Sequence, residues 1–245
     1  MKKIAWMLAG LLLGGVAFWP AATLQGNAQR ALPPGSSVAL SGSVWNGQGQ
    51  IQTGGSTWPF EWRFKPSRVF AAELAWDIDA RPTGARASAQ AVLGFGGWTV
   101  RAPAFEGEIH ALHTWLPALK LMGVQGRAQW SAPELAIKPS TPWRVDGEGS
   151  LALSELSIAA IGGSALGTHE LRVDGSGDAV TFEIVKSDGV LKVEGKGRIS
   201  NGGEYSVQGS ALPLASFDAD ARARLARYAT VQTDGRFRFD ARGKW

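Results

Sequence analysis

The chain has 245 residues, with 25 Lys and Arg against 21 Asp and Glu, and its formal net charge is +4. This mild balance disfavours a strongly charged nucleic-acid-binding protein, and 44% hydrophobic residues exclude wholesale disorder. The absence of cysteine excludes disulfides, thiolate metal ligands and cysteine nucleophiles. Glycine, with 32 residues, is well above its usual share of about 7%, which favours a β protein rich in turns over an enzyme.

The first residues are typical of a membrane-targeting segment. Lys2 and Lys3 give a basic start, and residues 4–24 contain no charged side chain. A spanning helix needs about 20 predominantly apolar residues, and this run is long enough once residues 20–24 are included. We therefore expect residues 1–26 to form an uncleaved single-pass anchor in the cell inner membrane, with its N-terminus cytoplasmic. Residues 27–245 would form a periplasmic β-rich domain.

A cleaved signal peptide is the alternative for this segment. Gly26-Asn27-Ala28 loosely fits a cleavage site, which would make Gln29 the first mature residue. Trp19-Pro20 at the end of the apolar run is a poor approach to such a site, so the anchor is preferred. The bulk of the chain is exported in either case.

Apolar and polar residues alternate with a period of two through most of the exported part. This alternation predicts half-buried antiparallel strands. Glycine-containing breakers separate the runs and predict tight turns. The predicted turns are Asn46-Gly47, Asp174-Gly175, Asp188-Gly189 and Asn201-Gly202-Gly203. The alternating apolar series include Val38 and Leu40; Phe60, Trp62 and Phe64; Leu74, Trp76 and Ile78; Val180, Phe182 and Ile184; and Phe237 and Phe239.

Several strands open with a polar residue followed by glycine, and the repeat has no fixed period. Gly126 and Gly147 are examples, and such a glycine could seat a bulge or let a wide sheet bend. The predicted fold class is therefore mainly β, a curved antiparallel meander. One or two short helices and the single N-terminal transmembrane helix complete the prediction.

Two stretches carry apolar residues at helical spacing. The first, residues 112–122, contains Pro117, which predicts a kink or a late start, and ends at Gly123, a natural C-cap. The second, residues 214–228, has either Asp218 or Ser216 to cap its start.

Candidate chemistry is sparse. His110 and His113 are three residues apart, but two partly exposed helix histidines are a better interpretation than a zinc site, which would need more ligands. Asp77 and Asp79 lie two apart on a predicted strand and share its solvated face. The aromatic and basic segment 58–65 is interpreted as core-facing aromatics rather than a nucleic-acid platform. We predict no catalytic, cofactor-binding or metal-binding residues, no cofactor and no enzyme activity.

The segment Leu40-Ser41-Gly42-Ser43-Val44-Trp45-Asn46-Gly47 resembles a signature near the start of the exported part of type II secretion system protein N. The order of later features agrees with that family over nearly the whole chain. A looser resemblance is to AsmA-like envelope proteins. The family motif residues are Gly42, Val44, Trp45 and Gly47, and we expect their role to be structural.

The protein N resemblance implies an inner-membrane-anchored periplasmic accessory component of the type II secretion system. Such a component supports export of folded proteins across the outer membrane. Its partners would be other secretion components and the inner membrane, through residues 4–24. The AsmA-like alternative implies a bent sheet that binds or transfers lipid. An exported enzyme is the third and weakest hypothesis, because no site constellation supports it.

Two roles are open for the motif tryptophan. In the first, Asn46-Gly47 turns the chain and Trp45 packs within a structural corner. In the second, Trp45 is an exposed anchor for a partner, since Trp is enriched at binding hot spots. The structural role is preferred because buried large apolar residues are far commoner than anchors.

Overall fold

A computed structural model describes residues 19–139 and 141–244, and their strands form one antiparallel sheet. Strand order follows chain order from β1 to β7, continues through β9 to β13, and ends with β15 and β14. The short strand β8 pairs with both β6 and β9. The predicted antiparallel meander is confirmed. The strands are β1 (Ser37–Gly42), β2 (Asn46–Thr53), β3 (Ser56–Phe64), β4 (Leu74–Ala80), β5 (Ala85–Gly94), β6 (Gly97–Glu108), β7 (Val124–Ser131), β8 (Ala136–Lys138), β9 (Arg144–Ile158), β10 (Ala165–Gly177), β11 (Ala179–Asp188), β12 (Leu191–Ser200), β13 (Glu204–Pro213), β14 (Thr230–Val231) and β15 (Phe237–Lys244).

Register places the alternating apolar residues on one side of the sheet, which we call the apolar face. Trp62 pairs with Ile78, and Phe64 pairs with Trp76. The same alternation puts charged residues on the opposite face, where Asp79 accepts from Arg86 at 2.7 Å. The predicted placement of Asp79 opposite the aromatic residues is therefore confirmed.

Rings on the apolar face repeatedly lie over a glycine of the neighbouring strand. In each pair, a methyl group added to the glycine would overlap the ring. A ring laid over a glycine covers backbone that would otherwise be exposed, and this arrangement is known to support bent sheets. The register pairs are Gly47 with Trp62, Gly49 with Phe60, Gly197 with Phe182, Gly209 with Phe239, and Gly243 with Tyr205.

The sheet is largely a single layer. The largest side chain with less than 2% exposure in the described part is Val92. Most apolar side chains are therefore half-buried, and fully buried clusters form only where a helix or loop covers the sheet, as at Ile161, Phe217 and Ala221.

Three short α-helices accompany the sheet in the described residues: α1 (Gln25–Ala31), α2 (Pro117–Met122) and α3 (Ala219–Leu225). The predicted late start at Pro117 is confirmed, and Gly123 ends α2 with φ +64°. Of the two predicted caps, Asp218 is the one that forms, since Asp218 Oδ1 accepts from Ala221 N at 2.8 Å. The sequence did not predict α1, because its side chains carry no helical cap and its position is set by the sheet.

Two predicted turns are wrong. Asn46-Gly47 lies inside β2, and Asp174-Gly175 lies inside β10. The first hairpin turns earlier, at residues 43–45, where Gly42 has φ +89° and Ser43 N donates to Asn46 O. The predicted turns at Asp188-Gly189 and at Asn201-Gly202-Gly203 are confirmed.

A β-bulge lies opposite Gly126, one of the glycines suited to a bend in the sheet. Gly126 alone separates Gln125 from Arg127 in β7, whereas Glu155 and Leu156 separate their partners Ser157 and Ser154 in β9. The extra residue is therefore in β9, and Gly126, with φ +131°, lies opposite it. Bulges of this kind bend a strand and increase its local twist.

Most of the predicted anchor, residues 4–24, lies outside the described residues. Its described end lies against the sheet: Pro20 pairs with Ser43, and Ala21–Leu24 forms a 3-10 helix in which Ala21 is buried. Within residues 19–139 and 141–244, no helix is long and apolar enough to cross a bilayer.

The first prediction tests the pairing of glycine with aromatic rings. A methyl group at Gly47 would overlap the Trp62 ring and the carbonyl oxygen of Ser41. We expect Gly47→Ala to lower the free energy of unfolding by about 1–3 kcal/mol, the usual cost of overpacking.

The matched control is Gly96→Ala, because a methyl group there meets open space. Denaturant unfolding followed by tryptophan fluorescence measures both variants. Equal stability of the two variants would contradict the prediction.

Candidate functional site

A groove lies on the apolar face of the first six strands. Its lining is almost wholly apolar. Its volume is about 420 Å³, within the usual range for ligand pockets. The groove lies between the N-terminal segment and the sheet. Its lining residues are Ala21, Leu24, Ala28, Leu32, Val38, Leu40, Val44, Ile51, Phe60, Trp62, Trp76, Ile78, Ala91 and Trp98.

The N-terminal segment forms one wall of this groove and is fixed by the side chain of Gln29. The Gln29 amide donates to Ser36 O, and Gln29 Oε1 accepts from Val38 N at 3.1 Å. The amide thus satisfies backbone groups of β1 and its approach that face away from β2. At the start of this segment, Trp19 O accepts from Val44 N at 2.9 Å. The wall is therefore tied to the sheet at both ends.

A row of aromatic rings runs along the groove and fixes the first turn. Ring centroids of Trp45 and Phe64 are 4.8 Å apart, and those of Trp76 and Trp98 are 5.6 Å apart. Trp76 Nε1 donates to Val44 O at 2.9 Å, and Trp62 Nε1 donates to Ser43 O at 3.1 Å. The indoles therefore bury their rings and also satisfy carbonyls of the turn.

The four motif residues come together at this turn. Gly42 supplies the left-handed backbone, Val44 lines the groove, and Gly47 lies beneath the Trp62 ring. Trp45 is half-buried, and its ring lies between Phe64 and a stacked Trp76 at 6.4 Å. This arrangement supports the structural role for Trp45, which stays a prediction until it is tested.

The histidines are dispersed. His113 Nε2 lies 2.8 Å from Val124 O, and His110 Nδ1 lies 2.8 Å from a carboxylate oxygen of Glu108. Among the described residues, no group of three or more His, Asp or Glu is arranged to hold a metal ion.

His169 is different because it is buried on the apolar face, 4% exposed, opposite Leu153. Its Nδ1 lies 2.9 Å from Ser187 Oγ, which accepts from Val193 N at 2.7 Å. Its Nε2 has no partner among the described residues. Burial lowers the pKa of His169 below its ordinary value of 6.5, because a charged imidazolium would lose its hydration there.

Sequence reasoning missed the groove wall and the role of Gln29. The sequence predicts that Ala21 and Leu24 belong to the anchor and that Ala28 belongs to the exported domain or, alternatively, to a cleavage site. A glutamine that follows an apolar run carries no signal for strand capping, so only the folded arrangement reveals it.

The family profile described as Type II secretion system (T2SS), protein N, matches residues 33–240. The chain belongs to the type II secretion system protein N family. No curated protein and no solved structure matches it. The predicted resemblance is confirmed, and membership identifies the chain as a type II secretion component. Proteins of such a system act together, so this membership also suggests interaction with other secretion components.

The second prediction concerns Trp45. Because its ring is half-buried, Trp45→Ala should destabilise the protein by about 2–3 kcal/mol, less than the 3–5 kcal/mol of a fully buried large aromatic residue. Thermal unfolding followed by circular dichroism measures the change.

Phe95→Ala is the control for Trp45→Ala, since Phe95 is 99% exposed and its loss removes no packing. An unchanged melting temperature for Trp45→Ala would favour the partner-anchor role instead.

The third prediction concerns pH. Since the folded-state pKa of His169 is below 6.5, the unfolded chain binds the proton first as pH falls. The contribution of His169 to stability is therefore full above pH 6.5 and declines as pH drops below that value. We expect the free energy of unfolding to fall less between pH 7.5 and pH 5.5 in His169→Asn than in the parent. Parallel declines in the two proteins would show that His169 does not titrate this way.

Proposed function

We propose that the protein is an inner-membrane-anchored periplasmic accessory component of the type II secretion machine, supporting export of folded proteins across the outer membrane. The observation that carries this proposal is the family match over residues 33–240, behind a basic start and an uncharged run at residues 4–24. In this proposal residues 4–24 hold the chain in the membrane and the N-terminus stays in the cytoplasm.

The proposed role is structural and not enzymatic. Fourteen strands in a continuous path, spaced about 4.8 Å apart, give a sheet roughly 60 Å long when measured along its strand order. A sheet of that length with one charged face suits a protein that contacts several neighbours. The charged face carries cross-strand ion pairs, such as Lys65 with Asp77 at 2.8 Å, and these leave it soluble while partners are absent.

The fourth prediction tests topology. Alkaline phosphatase fused after Trp245 folds only outside the cytoplasm, so the fusion should be active in cells. A stably made but inactive fusion would contradict the proposed orientation.

The secretion role is tested by deletion and complementation. Loss of the gene should lower the amount of a type II substrate in the medium, and a plasmid copy should restore it. Crosslinking in intact cells followed by mass spectrometry should then recover other secretion components, and a strain lacking those components is the control.

Lipid binding is a second candidate function, and the apolar groove favours it. The groove lining of fourteen apolar residues offers no hydrogen-bonding side chain other than the indoles. An apolar groove of about 420 Å³ suits a narrow acyl chain.

Lipid occupancy is tested with a variant that fills the groove. Ala91→Leu adds bulk to the lining, whereas Ala87→Leu adds the same bulk on the same face of β5 outside the lining. Lipid that co-purifies with the parent and with Ala87→Leu, but not with Ala91→Leu, would support this function. Equal lipid in all three proteins would count against the groove as its site.

A further inference from the structure

Four segments of the first six strands meet at one end of the sheet, which we call the aromatic rim. The rim comprises Trp19 and Pro20, the turn at residues 43–45, the 3-10 helix Pro66–Ala71 with its flanks 65 and 72–73, and the tip at residues 95–96. Register fixes their common position: Gly42 pairs with Gly47, Leu74 with Leu93, and Gly94 with Gly97. The three connections therefore project from the same ends of the strands.

The rim exposes its largest apolar side chains. Phe70 is 97% exposed and Phe95 is 99% exposed, the two highest values among the exposed large hydrophobic residues of the described part. Val69, next to Phe70, is 49% exposed. Neither Phe70 nor Phe95 packs against the rest of the described residues, and adjacent exposed apolar residues mark contact surfaces.

The chain enters the domain at this rim. Trp19 O accepts from Val44 N, and Pro20 pairs with Ser43, so residue 18 precedes the rim directly. The uncharged run at residues 4–18 therefore leads into Trp19, which lies at the same ends of the strands as the connections that carry Phe70 and Phe95. A bilayer that holds this run necessarily lies within reach of the rim.

The charges at the rim suit a lipid surface. Glu73 is held by Arg101 at 2.8 Å and by Arg68 at 3.8 Å, and Asp77 is held by Lys65 at 2.8 Å. The acidic groups at this end are thus each neutralised by a basic partner. Lys65, Arg68 and Arg101 together outnumber these two carboxylates, which suits an anionic lipid surface, and tryptophan is enriched at the membrane interface.

We propose that the aromatic rim docks onto the bilayer, with Phe70 and Phe95 inserted among the lipid headgroups. This proposal rests on the proposed membrane attachment through residues 4–24, and it adds an orientation to that attachment. The sheet then stands with its first six strands end-on to the membrane. The end of the apolar groove at half-exposed Trp98, which lies next to the tip at residues 95–96, is then the end nearest the lipid.

The chain contains no cysteine, so single-cysteine probes test the rim directly. Phe70→Cys and Phe95→Cys in the full chain, reconstituted in phosphatidylglycerol and phosphatidylethanolamine vesicles, are labelled with an environment-sensitive fluorophore. Leu121→Cys is the matched control, because Leu121 is 89% exposed and α2 follows the opposite end of β6. Leu12→Cys reports separately on the anchor.

We expect nitroxide-bearing lipid to quench the probes at positions 70 and 95 at least threefold more than the probe at position 121. Iodide in water should show the reverse order. Quenching at position 12 without quenching at 70 and 95 would overturn the rim proposal and leave the anchor standing. Equal quenching at 70, 95 and 121 would also overturn it, as would a self-association signal that protects 70 and 95 without lipid. Quenching at 70 and 95 but not at 12 would support the rim and remove the anchor.

Discussion

The fold depends on the contact between an aromatic ring and a glycine across neighbouring strands. A single-layer sheet has no opposing layer to bury its apolar face, so each ring must find cover from its own sheet. Laid over a glycine, a ring covers bare backbone and loses much of its own contact with water. The pairs recur near both ends of the sheet, at Gly47 with Trp62 and at Gly243 with Tyr205. They let the sheet extend without a conventional core.

The cost of this solution is a face that stays only half-buried. Short elements cover it in places: α3 and the loop at Ile161 cover the strands near Leu191, and the N-terminal segment covers β1. Where no such element covers the sheet, the rings remain accessible. The apolar groove is one of these uncovered places. The groove therefore follows from the same constraint that shapes the fold. A protein that buried these rings fully would have no groove.

Much of the fold could be predicted from the sequence because period-two alternation is a local signal. The spacing of Phe60, Trp62 and Phe64 indicates a strand without reference to the rest of the chain. Asp218 indicates the start of a helix in the same local way. The misplaced turns have a different origin. Asn46-Gly47 consists of residue types that favour a turn. Gly47 instead lies beneath the Trp62 ring, and this contact between strands prevails over the local preference.

The site was less predictable, because its parts are distant in sequence. The motif at Gly42 to Gly47 could be found as a signature, yet its contacts come from Trp62 and Trp76. Gln29 binds backbone groups on the side of β1 that faces away from β2, and this role is apparent only in the folded structure. The exposure of Phe70 and Phe95 depends on which connections lie at the same ends of the strands. Strand register determines this, and composition does not.

Groove, turn and rim meet at Val44. Val44 lines the groove, its N–H donates to Trp19 O, and its carbonyl accepts from Trp76 Nε1. Trp19 begins the segment that forms one wall of the groove, and Trp76 belongs to the sheet that forms the other. Because the sheet is continuously paired from β1 to β6, the position of Val44 is fixed by the sheet. The first turn therefore fixes both the place where the chain enters the domain and one end of the groove.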